Sequence, residues 1–88
     1  MPYILPKDRS SQNEVVKKMI EKGTKADGKL NYVLFKLCKI IVKPSYNNYK
    51  NYCGELRQCA TEIERKLLAP YEDKKEQENG PVKKEKIQ

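Results

Sequence analysis

Lysines, tyrosines and cysteines are the side chains in this sequence that could do chemistry, and the usual general base is missing. No histidine occurs among the 88 residues. Proton transfer near neutral pH would then need a perturbed Glu, Lys, Cys or Tyr. Cys38, Cys53 and Cys59 stand 15 and 6 residues apart, which without histidine makes no zinc site. A nucleophilic cysteine would also lack its ordinary base. Glu72 and Asp73 are neighbours, so on a helix they diverge by about 100° and do not share a substrate. No glycine-rich phosphate loop or metal motif is present. The chain reads as a non-enzyme without cofactor or metal, and binding is left. Lys29, Lys36, Lys39 and Lys43 can neutralise phosphates while Tyr32 stacks on a base. Against this stands the plainer view that a solvated helix face simply carries lysines.

The stripe depends on helices, and the apolar spacing supplies them. Val15, Val16, Met19 and Ile20 form the buried face of a first short helix, which starts at Ser10 or Ser11 through a Ser11–Glu14 capping box and stops at Gly23. Asp27 caps a second helix of about Lys29 to Lys43, ended by Pro44. Its apolar residues, with Phe35 and Val42 at the margins, cover roughly 220° of the circumference, whereas one neighbour needs about 100°. Several partners must therefore cover it, within the chain or across an oligomer, and Phe35 and Val42 are placed at an interface. The other arc, about 80° wide, holds Lys39, Tyr32, Lys43, Lys36 and Lys29 in angular order.

Ser45 caps a third helix whose apolar stripe is Tyr46, Tyr49, Cys53, Leu56, Ala60, Ile63 and Leu67, the 3-4 seam of two helices packed side by side. Gly54 inside it costs about 1 kcal/mol relative to Ala and points to a close approach by another helix. Glu62 pairs with Arg65 and Lys66 on an exposed face. Pro70 either kinks this helix or begins a fourth, and Glu72, Asp73 and the Gly80 terminator favour a fresh start. The cysteines, on or beside apolar faces, are expected as buried thiols.

The fold expected is all-α, a small helical domain built on an antiparallel hairpin of helices two and three, and oligomeric. Residues 1–9 form an N-terminal arm, 10–80 the helical domain and 81–88 a flexible charged tail. The net charge is +7, with 11 Lys/Arg against 4 Asp/Glu in residues 1–50 and 8 against 8 in residues 51–88. A basic half beside a balanced half fits one surface meeting an anion. No signal peptide or membrane span is read.

Met1-Pro2-Tyr3-Ile4, Leu30-Asn31-Tyr32, Ser45-Tyr46 and Ala69-Pro70-Tyr71-Glu72-Asp73-Lys74-Lys75 with Glu78-Asn79-Gly80 resemble a family of small phage, prophage and bacterial proteins of unassigned function. The likeness spans nearly the whole chain up to Val82, and the proline-tyrosine-acidic-lysine segment is its most specific part. It implies an all-helical fold and a phage or mobile-element setting; the location expected is the cytoplasm, that of the host cell if the chain is phage-encoded. After Gly80 the family pattern of Asp-Val-Tyr gives way here to Pro81-Val82 and a lysine-rich extension.

The function expected is an accessory protein that binds a phosphate-bearing ligand. That ligand is either a nucleotide immune signal, held as by a sponge, or nucleic acid. The alternative is a protein–protein module, inhibitor or adaptor of a host protein, working through Tyr71 with Glu72 and Asp73. The partners expected are copies of the chain itself, that ligand or a host protein, and no membrane.

Overall fold

A computed structural model describes residues 4–81, and every regular element among them is helical. Helix α1 spans Pro6–Glu21, α2 Gly28–Ile41 and α3 Tyr46–Ile63, followed by a π-turn at Glu64–Leu68 and by α4, Ala69–Asn79. The all-α class is as expected. The chain divides into two units, Met1–Val42 and Lys43–Gln88. The division falls between α2 and α3, the helices expected to pair as a hairpin.

In the first unit, α1 begins earlier than Ser10. Pro6 takes the first-turn position, where its missing N–H is no loss. Pro6 to Arg9, assigned to the arm, are therefore helical. The Ser11–Glu14 capping box does not form: the Ser11 hydroxyl lies inside the helix and donates to the Asp8 carbonyl (3.1 Å). The C-terminus follows expectation. Gly23 adopts φ 79°, and the Gly23 and Thr24 amides donate to the Ile20 and Met19 carbonyls, both at 3.0 Å. That is the paired closure of a left-handed glycine stop. Asp27 caps α2 as expected, its carboxylate accepting from the Lys29 amide at 2.8 Å. The helix ends at Ile41, and Val42 is already extended (φ −90°, ψ 120°).

In the second unit, Ser45 caps α3 by accepting from the Asn48 amide at 3.0 Å. Pro70 does not begin a new helix. Ile63, Glu64, Leu68 and Ala69 all keep right-handed helical angles, and the Ala69 amide reaches the Glu64 carbonyl five residues back. Proline has no N–H to give and its ring crowds the carbonyl four residues earlier. A π-turn just upstream accommodates both. Gly80 then ends α4 at φ 87°, its amide donating to Glu76 at 2.7 Å.

Among the described residues no apolar side chain is buried. Val15, Val16 and Ile20, expected inside, are exposed, and Met19 is half-buried. On α2, Leu30, Val33, Leu34 and Cys38 are half-buried, while Phe35, Leu37, Ile40 and Ile41 lie open. The α3 stripe is open as well, including Tyr46 and Tyr49. All three thiols are free, but Cys53 and Cys59 are exposed and Cys38 only half-buried. The periodicity puts these residues on shared helix faces, but the burial expected of those faces is not seen among the described residues. A Cβ built on Gly54 meets nothing within 4 Å. Of the segments assigned to the ends, residues 1–3 and 82–88 lie outside the described residues.

Candidate functional site

The Asp27 cap fixes the start of α2 and with it the register of everything on its basic arc. Lys29, Tyr32, Lys36 and Lys39 recur three and four residues apart and all are exposed. They line one side of the helix over about 15 Å from Lys29 to Lys39. Tyr32 is 64% exposed, so its ring is available for stacking rather than spent in packing. Gly28–Ile41 contains no acidic residue. Among the described residues the ion pairs involve Lys18, Arg65, Lys66 and Lys75, never these three lysines.

Lys43 lies beyond the end of the helix that carries this ridge. The residue before a proline avoids the helical conformation, and α2 stops two residues earlier. Lys43 belongs to the second unit, where its carbonyl accepts from the Asn48 side-chain amide at 2.9 Å. The ridge that the helix itself holds is Lys29, Tyr32, Lys36 and Lys39.

The residues expected at an interface are divided in the same way. Phe35 is 65% exposed, beside the ridge on α2, and Val42 is the half-buried cap residue. Tyr71, Glu72 and Asp73 are exposed on the first turns of α4. The Lys75 ammonium lies 5.7 Å from the centre of the Tyr71 ring and 3.2 Å from Glu78 Oε2. A like pair stands at the start of α3, where Lys50 lies 5.7 Å from the centre of the Tyr46 ring. Such cation–π contacts favour defined ring orientations at a surface.

Sequence reasoning missed two features. Glu62 does pair with Lys66 (3.0 Å) and Arg65 (3.5 Å), but it is 6% exposed, the buried polar residue of the described chain. It does not lie on an open face. Local i,i+3 and i,i+4 spacing reports pairing, not cover, so no sequence signal marked it. The π-turn was the other omission, although Pro70 inside an unbroken helical pattern was a signal for it.

No group of His, Cys, Asp or Glu among the described residues could hold a metal ion. No described helix is long and apolar enough to cross a membrane.

No curated protein sequence and no solved structure matches the chain. Residues 1–82 match the model of a family described as a domain of unknown function, DUF6899. With that match over nearly its whole length, the chain belongs to the DUF6899 family.

Proposed function

We propose that this chain is a non-enzymatic accessory protein of phage type that binds a phosphate-bearing ligand along the α2 ridge. The reading rests on Tyr32 standing exposed among Lys29, Lys36 and Lys39 on a helix without a single acid. The lysines supply charge for phosphates and the ring supplies a stacking face, a combination suited to a nucleotide or a single strand. The ligand is a nucleotide immune signal, sequestered as by a sponge, or nucleic acid. Self-association belongs to the same proposal. It would cover Phe35 and its apolar neighbours while leaving the ridge free.

Fluorescence anisotropy against nucleotides, cyclic dinucleotides and a short labelled single strand, each at rising salt, tests the proposal. Engagement of three lysines predicts a log–log salt slope near −2 for a single strand. Binding indifferent to salt, or no binding across the panel, would overturn it.

A second reading is supported by Tyr71. Its ring is 58% exposed and held beside Lys75, as suits a contact on a host protein. Such a contact, largely apolar, would hold its affinity as salt rises.

A further inference from the structure

We infer that the rod formed by α3, the π-turn and α4 carries a second surface for single-stranded nucleic acid, on the face of α3 that holds Tyr46, Lys50, Gly54 and Arg57. All four residues lie in the second unit, and none belongs to the α2 ridge.

The first ground is Gly54. It stands in the middle of α3, where glycine costs about 1 kcal/mol relative to alanine. Its backbone does not require a glycine, because the positive φ angles fall at Gly23 and Gly80. Local space does not require one either, since a Cβ there meets nothing within 4 Å. What the missing side chain supplies is a bare patch of helix onto which a ligand can close.

The second ground is the company it keeps. At about 100° per residue, Arg57, Lys50 and Gly54 fall about 20°, 40° and 80° to one side of Tyr46. All four are exposed, Tyr46 to 79%. The Lys50 ammonium lies 5.7 Å from the centre of the Tyr46 ring, so a cation and a stacking face already stand together. Residues 46–54 include no acid, and Glu55 falls on the opposite side of the helix, about 180° from Tyr46. Glu64 returns to the line two turns beyond Arg57 and closes the stripe there.

The third ground is layout, which selects the ligand. Tyr46 precedes Lys50 by about 6 Å along the axis, and Arg57 follows Lys50 by about 10 Å, with Gly54 between the two cations. A ring, a cation, a gap and a second cation in line suit successive units of a strand: a base on Tyr46, phosphates at Lys50 and Arg57, and the strand's backbone over Gly54. A free nucleotide carries its phosphates at one end and calls for a concave site that encloses it, whereas this face of a helix is convex. Charge disfavours a second copy of the chain. Laid parallel across Gly54, it would set Lys50 on Lys50 and Arg57 on Arg57; laid antiparallel, it would set Lys50 beside Arg57. With two cations against the ridge's three, this is the weaker surface, and a strand held there alone is released during purification.

Fluorescence anisotropy with a labelled oligothymidylate of about 12 nucleotides tests the surface, using the full chain with Lys29→Gln, Lys36→Gln and Lys39→Gln combined. This ridge-less variant should still bind at low salt, with a log–log salt slope of about −1.4. Adding Lys50→Gln or Arg57→Gln should weaken binding several-fold and make the slope shallower by about 0.7. Adding Gly54→Gln should weaken it about tenfold while the melting temperature rises, because glutamine favours a helix over glycine; loss of fold therefore does not mimic the effect. Affinity retained by Gly54→Gln, or a slope unmoved by Arg57→Gln, would overturn the surface. So would a Gly54→Gln variant that loses an oligomer by sedimentation but keeps its strand affinity, which would assign the glycine to a second copy. No strand binding by the ridge-less variant would overturn this surface and leave the α2 reading standing on the wild-type measurement.

Discussion

Helix α2 and the rod that follows it carry apolar and charged residues in opposite ways. On α2 the apolar arc is broad, roughly 220°, and the remaining arc is basic with no acid to answer it. On the rod the apolar line is narrow, and part of its charge is paired locally, Glu62 with Arg65 and Lys66, Lys75 with Glu78. A broad face needs several neighbours, whereas a narrow seam needs one. Uncompensated lysines attract an anion; compensated ones do not. The contrast underlies the proposal that a ligand binds along α2.

The contrast can be broken first at the ridge: Tyr32→Ala should cost about 1–3 kcal/mol of ligand affinity through lost stacking, measured by anisotropy, with the oligomer unchanged. Pro70→Ala tests what causes the π-turn at Glu64–Leu68. It should raise helicity by circular dichroism, since proline is about 3 kcal/mol less favourable than alanine inside a helix. The smallest effect belongs to Gly54→Ala. The site is open in the chain, so thermal melting should show a gain of about 1 kcal/mol; a loss would mean that another helix lies against it.

Much of the fold was legible because its signals are local. Asp27, Ser45, Gly23 and Gly80 act within one helical turn, and each caps or stops its helix as its residue type dictates. Pro6 was read as part of an extended arm because a proline at a helix start and one in a tail look alike without the next turn. Lys43 was read onto the ridge because angular projection continues a helix past the point where Pro44 ends it. Burial was the least legible quantity. Spacing shows which residues share a face, as with Val15, Ile20, Phe35 and Tyr46, but cover comes from whatever packs there, and none of these is buried in the chain. For the ridge, sequence gave the spacing of Lys29, Tyr32, Lys36 and Lys39, and the structure adds that Tyr32 faces solvent.

Native mass spectrometry of protein purified from cells carrying its natural genetic setting tests the ridge most directly. The predicted spectrum shows oligomer peaks bearing a phosphate-containing adduct, and the adduct disappears when Lys29, Lys36 and Lys39 are replaced by Gln. Adduct-free oligomers, or an adduct retained by that triple variant, would contradict a ligand-binding role for α2.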